Sequence, residues 1–128
     1  MKSVIKLSSN MEDYLEAIAA LKKEKGIARV KDISALLNVK KPSVAAALNN
    51  LSKGKLVIHE RYGTVELTEE GMEIACNVQE RHDVIYAFLT NILKVDAKTA
   101  EHEACGMEHS MSLSTLAKLN KFLKKNLG

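Results

Sequence analysis

Cys105, Glu108 and His109 stand together near the end of the chain, within Glu101-His102-Glu103-Ala104-Cys105-Gly106-Met107-Glu108-His109. At i, i+3 and i+4 of a helix, a thiol, a carboxylate and an imidazole share one face. These are donors that hold divalent transition metals, so the trio reads as half of a metal site. Asp13 and Glu16, at i and i+3 of a first helix, could share a cation as helix-borne carboxylates do in bundle metal sites. His82 occupies an apolar slot in a long helical seam. Each group alone has an ordinary explanation as a cap, a solvated charge, a hydrogen-bonded core histidine or a small buried thiol. Six of them on three helices are harder to attribute to packing, and metal binding is the chemistry they share.

The elements that must position these residues are legible in order. Asn10 or Ser9 is expected to cap a first helix running to Lys25, with Glu12 and Asp13 near its positive end and Gly26 stopping it. Met11, Tyr14, Ile18 and Leu21 form its apolar stripe, while Asp13, Glu16, Ala17 and Ala20 form another face. A short helix from Lys31 to Leu37 follows, with Ile33, Leu36 and Leu37 inward, then a tight turn at Asn38-Val39. Pro42 suits the first turn of a third helix, which continues through Val44, Leu48 and Leu51 to Lys53-Gly54. Two short helices so joined have the shape of a helix-turn-helix. Val57–Glu60 and Thr64–Leu67, around a turn at Tyr62-Gly63, add a hairpin and make it a winged helix.

Thr68 is expected to cap a long helix, with Glu69 and Glu70 complementing its dipole. Ala75, Val78, His82, Ile85, Leu89 and Ile92 recur along it at helical spacing, a seam for another helix. Asp96 opens the acidic helix bearing Cys105. A last helix, Ser112 to Asn126, turns Leu116, Leu119 and Leu123 to one side. The expected fold is mainly α: a winged helix-turn-helix over residues 1–67, then a helical domain over 68–128.

Composition narrows the function classes. The 128 residues are 46% hydrophobic but only 4% aromatic, with no Trp, which points to aliphatic helix packing. The longest apolar runs, such as Val84–Phe88, are too short to cross a bilayer. The N-terminus lacks the apolar block of a secretory signal, and two Cys make no disulfide framework, so a reduced, cytoplasmic setting is expected. The net charge of +3 is segregated. Ten bases stand against three acids from Lys22 to Arg61, and ten acids against three bases from Tyr62 to Leu113. A basic block of this kind can meet a polyanion, and the acidic block cannot.

Several stretches carry a specific resemblance. They are Met11-Glu12-Asp13-Tyr14-Leu15-Glu16-Ala17-Ile18, Gly26-Ile27-Ala28-Arg29-Val30-Lys31-Asp32-Ile33 and Lys41-Pro42-Ser43-Val44. Leu67-Thr68-Glu69-Glu70-Gly71, Glu80-Arg81-His82 and Cys105-Gly106-Met107-Glu108-His109-Ser110-Met111-Ser112 extend it to most of the chain. In these the sequence resembles the diphtheria-toxin-repressor and manganese-transport-regulator (DtxR/MntR) family of metal-dependent transcriptional repressors. The resemblance implies an N-terminal winged helix, a helical metal-binding and dimerisation domain, and a homodimer on a double-stranded DNA operator. It implies repression of metal-uptake genes, and the short, two-domain type without an SH3-like domain.

The ligand set that the resemblance implies is Asp13, Glu16, His82, Cys105, Glu108 and His109, and it mixes the family's two branches. Asp13 and Glu16 match the manganese type, Cys105 matches the iron type, and the other three suit both. Tyr86 stands where the iron-type ancillary site has Glu, while His102 is aligned with that site's second His. A weakened or absent ancillary metal is therefore expected. The thiolate favours Fe²⁺ as effector over Mn²⁺, the runner-up, with Co²⁺, Ni²⁺ and Zn²⁺ able to substitute.

For DNA, Lys40, Lys41, Pro42 and Ser43 begin the reading helix, where phosphates and base edges are met. Arg29 and Arg61, with Lys53 and Lys55, are expected phosphate contacts. The helix's middle, Ala45-Ala46-Ala47, is expected to be exposed, either reading thymine methyls and DNA shape or serving only as helix formers. No organic cofactor, membrane or catalytic residue is expected. The competing readings are a winged-helix regulator without metal control and a small metallohydrolase.

Overall fold

The computed structural model describes residues 8–60 and 63–127, and its elements begin where local chemistry starts them. Helix α1 spans Ser9–Lys25. Its cap is Ser8 rather than Asn10 or Ser9: the Ser8 hydroxyl accepts from the Met11 amide at 3.2 Å. A capping residue must be extended, as Ser8 is at ψ 156°, and Asn10 already lies inside the helix. Gly26 ends α1 at φ 78° and returns its amide to the Lys22 carbonyl at 2.8 Å. That left-handed conformation is the one glycine adopts without a Cβ penalty.

Strand β1 (Ala28–Arg29), helix α2 (Val30–Leu37) and helix α3 (Lys41–Lys53) follow. Asn38 makes the left-handed turn between the helices at φ 55°. The Ser34 hydroxyl braces it by donating to the Val39 carbonyl at 2.5 Å. Pro42 sits in the first turn of α3, as its missing N–H allows. Strands β2 (Val57–His59) and β3 (Thr64–Leu67) form the expected hairpin. Arg61 and Tyr62 lie outside the described residues.

The sheet has a third strand that the sequence reading omitted. Its order is β1-β3-β2, all antiparallel, with Ala28 opposite Val65 and Val57 opposite Leu67. A two-residue strand has no periodicity to read. It forms because β3 offers a second edge whose backbone groups need partners.

Around these elements a single apolar cluster gathers Tyr14, Leu15, Ile18 and Leu21 of α1 with Ile33, Val44, Leu48, Leu51, Leu56 and Val65. Two expectations fail here. Leu36 is 53% exposed although it stands three residues after the buried Ile33, so helical spacing alone does not decide its burial. Ala47 is buried, since it stands three residues after Val44 on the packed face, leaving Ala45 and Ala46 exposed.

Helix α4 (Glu69–Ala87) starts on this unit. Thr68 Oγ1 accepts from the Gly71 amide at 3.1 Å and donates to the Lys55 carbonyl at 2.7 Å. The cap therefore also docks the helix on the α3–β2 connection. Gly71 is required there: a Cβ would run into the Leu56 carbonyl oxygen. The chain divides into two compact units between Cys76 and Asn77, inside α4.

In the second unit α4 gives way to a π-helical turn over Phe88–Ile92, so the long helix expected to reach Ile92 is α-helical only to Ala87. The seam residues Val78, His82, Ile85 and Leu89 are buried as expected. Helix α5 (Ala97–Met107) is capped by Asp96, whose carboxylate accepts from the Thr99 amide at 3.0 Å. That bond holds the Asp96 carboxyl below its ordinary range. Helix α6 (Leu113–Leu127) begins after Ser112, whose hydroxyl accepts from the Thr115 amide at 3.1 Å. Two small apolar clusters result, one of Ile85, Leu89, Ala100 and Ala104, the other of Val84, Leu116 and Leu123. No described helix is long and apolar enough to cross a membrane.

Candidate metal centre

Cys105 lies in the last turn of α5, and the helix proper ends at Met107. Glu108 keeps helical dihedrals (φ −59°, ψ −30°) and bonds its amide to the Ala104 carbonyl at 2.9 Å. The facing expected of Cys105 and Glu108 therefore survives the helix end, and His109 follows in the turn. Opposite them, the seam of α4 presents His82, packed to 6% exposure. His82 Nδ1 lies 3.7 Å from Glu108 Oε1 and 3.8 Å from Cys105 Sγ. His109 Nε2 lies 3.8 Å from the same Glu108 oxygen. The candidate ligand atoms of His82, Cys105 and Glu108 all fall within 4.8 Å of one another.

The charge environment is unusual for so small a unit. Glu108 is fully buried, and with His82 it makes up the buried polar side chains among the described residues. A carboxylate is withdrawn from water at considerable cost unless a positive charge meets it. Two imidazoles and a thiol around that carboxylate are donors for a divalent cation, so the residues present fit a transition metal by donor chemistry. Cys105 itself is exposed, against the ordinary expectation of a buried thiol.

Asp13 and Glu16 lie on α1 in the first unit, partly buried. His102 is exposed and joins no cluster of candidate ligand atoms among the described residues. The residue that reaches the ring is Glu101, whose Oε2 stands 3.0 Å from His82 Nε2. Sequence reasoning passed over Glu101, although it stands four residues before Cys105 and hence on the same helical face. Tyr86 stacks on His82, with ring centroids 6.4 Å apart and planes 11° from parallel.

The expected DNA-contacting residues form a compact start to α3. Lys40 is the capping residue, and Lys41, Pro42 and Ser43 make the first turn, all exposed. The Ser43 and Val44 amides bond back to the Lys40 carbonyl at 3.0 and 3.2 Å. Arg29 is exposed on β1, and Arg61 lies outside the described residues.

Both parts of the chain match known families. Residues 6–65 match the iron dependent repressor N-terminal DNA binding domain. Residues 68–126 match the iron dependent repressor metal binding and dimerisation domain. An uncharacterised HTH-type transcriptional regulator of Methanocaldococcus jannaschii is 36% identical over 120 residues, covering 93% of this chain and 96% of the relative. The HTH-type transcriptional regulator MntR of Bacillus subtilis is 34% identical over 115 residues, 90% of this chain and 80% of MntR. Among solved structures, T. acidophilum IdeR superposes with a TM-score of 0.80 at 28% identity over 97% of this chain. The manganese regulator SloR superposes with a TM-score of 0.81 at 30% identity over 92% of it. The chain spans 56% and 55% of the lengths of those two structures.

Proposed function

We propose that this chain, which belongs to the iron-dependent repressor family through both of its domains, is a homodimeric repressor that binds operator DNA when a divalent transition metal is present. The observation that carries the reading is the His82–Cys105–Glu108 cluster, with the Glu108 carboxylate withdrawn from water at its centre. The proposed ligand set is Asp13, Glu16, His82, Cys105, Glu108 and His109. The cluster supports its second-unit members, and the family resemblance supports Asp13 and Glu16.

When bound, the metal supplies positive charge and directed bonds among groups that otherwise repel or stay protonated. The chain's own part is to connect that event to the reading helix. Asp13 and Glu16 ride on α1, which packs against α2, α3, β1 and β3. Holding α1 therefore holds the whole winged helix, and a dimer held in that way presents two copies of α3 to successive major grooves. The effect is a shift toward a DNA-competent population, limited by the difference in metal affinity between the two states. Lys40, Lys41, Pro42 and Ser43 would meet the groove edge, with Arg29 and Arg61 on phosphates. Such a regulator works in the cytoplasm and needs no catalytic residue.

A thiolate ligand favours Fe²⁺ over Mn²⁺ in this set, with Co²⁺, Ni²⁺ and Zn²⁺ as in vitro substitutes. Anaerobic equilibrium titration should give tighter binding of Fe²⁺, and tighter Mn²⁺ binding would reverse that assignment. The function itself is tested by retention of duplexes from a randomised DNA pool with Fe²⁺, Mn²⁺ or chelator. Retention that needs metal supports a metal-responsive repressor. Equal retention in chelator indicates a regulator without metal control, and no retention under any condition removes the DNA-binding reading.

A further inference from the structure

His82 has two ring nitrogens, and only one faces the candidate centre. Nδ1 points to the Cys105 thiol at 3.8 Å and to Glu108 Oε1 at 3.7 Å, while Nε2 meets Glu101 Oε2 at 3.0 Å. The last is the ring's one short contact with an oxygen acceptor among those three, the Glu108 distance being too long for a hydrogen bond. A carboxylate can only accept, so the short bond places the ring proton on Nε2. In the neutral imidazole Nδ1 then carries the lone pair, and the Cys105 thiol is the weak donor that faces it.

We propose that Glu101 is a positioning residue for the metal centre: it fixes His82 in the Nε2–H form and aims Nδ1, the ligating atom, at Cys105 and Glu108. The inference rests on the metal-centre reading above. Geometry supports it twice over. Rotation about the ring's long axis is opposed by the parallel stack on Tyr86, and moving the ring proton to Nδ1 would set an Nε2 lone pair against the Glu101 carboxylate. Placement on the helix supports it too, since Glu101, Cys105 and Glu108 follow one another at i, i+4 and i+7 along one face. A carboxylate behind a ligating histidine orients the ring and strengthens it as a donor, and losing such a partner commonly lowers metal affinity. Glu101 is itself 61% exposed in its side chain, so it adds this without burying another charge.

The test compares Glu101→Ala and Glu101→Gln with the unaltered chain, each shown to be folded by circular dichroism. Ala is a strong helix former, and Gln keeps an oxygen that accepts the same Nε2–H. Long-range ¹H–¹⁵N spectra of the metal-free proteins read the His82 tautomer directly. The Nε2–H pattern is expected in the unaltered chain and in Glu101→Gln, and a mixture of tautomers in Glu101→Ala. Mn²⁺ titration is expected to show roughly 10- to 100-fold weaker binding for Glu101→Ala and near-normal binding for Glu101→Gln. An Nδ1–H pattern in the unaltered chain, or unchanged Mn²⁺ affinity in Glu101→Ala, overturns the role of Glu101. An unaltered chain that takes up no Mn²⁺ overturns the metal centre itself, which the titration reports separately.

Discussion

The first unit buries one continuous set of apolar side chains, whereas the second divides its apolar residues into two small clusters and buries His82 and Glu108 as well. The contrast separates two uses of an interior. In the first unit burial holds a reading helix in place, through apolar contacts that work without any ligand. In the second unit part of the interior is given to a histidine and a carboxylate, groups costly to withdraw from water that a cation would favour. The first unit should therefore lose the same stability on mutation whether or not metal is present, and the second should not.

The sharpest check on the first half of that statement is Leu48→Ala, at a fully buried position of α3. It should cost about 2–5 kcal/mol in urea unfolding, equally with Mn²⁺ and with chelator. Glu108→Gln should behave in the opposite way. It replaces the buried carboxylate by an amide of the same size, so its effect on the metal-free protein should be small beside its effect on metal binding. The gain that Mn²⁺ gives the unaltered chain, about 2.7 kcal/mol at a hundredfold excess over Kd, should vanish. If Glu108→Gln unfolds the metal-free chain instead, the second unit's buried carboxylate is structural and the contrast between the units fails.

Gly71→Ala examines the junction where α4 docks on the first unit. The added methyl meets the Leu56 carbonyl oxygen, backbone that cannot swing aside. A loss of about 1–3 kcal/mol is expected from overpacking, again independent of metal, and thermal unfolding would read it. The smallest effect belongs to Asp96→Ala, which removes the α5 cap. The Asp96 carboxyl is held below its ordinary range by its bond to Thr99, so its contribution is present above the unfolded pKa and lost as pH falls through the lower folded one. The gap in thermal stability between the unaltered chain and Asp96→Ala should accordingly be fullest near neutrality and close in acid. A gap that widens in acid would remove this account of the cap.

Much of this was legible in residue order. The caps at Thr68 and Asp96, the Asn38 turn and the α4 seam all rest on local rules, and the structure keeps each of them. What was missed depends on contacts that no local pattern encodes. Strand β1 exists through the free edge of β3, and Leu36 stays outside although its spacing from Ile33 puts it on the packed side. The π-helical turn at Phe88–Ile92 carries no spacing that marks it in advance. Ala47 and Glu101 are different. Each stands at helical spacing from a residue already singled out, Val44 and Cys105, so helical periodicity alone could have found both. The gathering of His82, Cys105 and Glu108 was legible in part because a histidine and a carboxylate are costly to bury.

The central claim is that the cluster around Glu108 binds a transition metal through Cys105 and its neighbours. Titration with Co²⁺, followed by absorption, tests it most directly, because a thiolate ligand adds a charge-transfer band that carboxylates and imidazoles do not. The unaltered chain and Cys76→Ser should both develop the band to the same end point, and Cys105→Ser should bind Co²⁺ without it. A band that persists in Cys105→Ser, or no Co²⁺ binding by the unaltered chain, would contradict the claim.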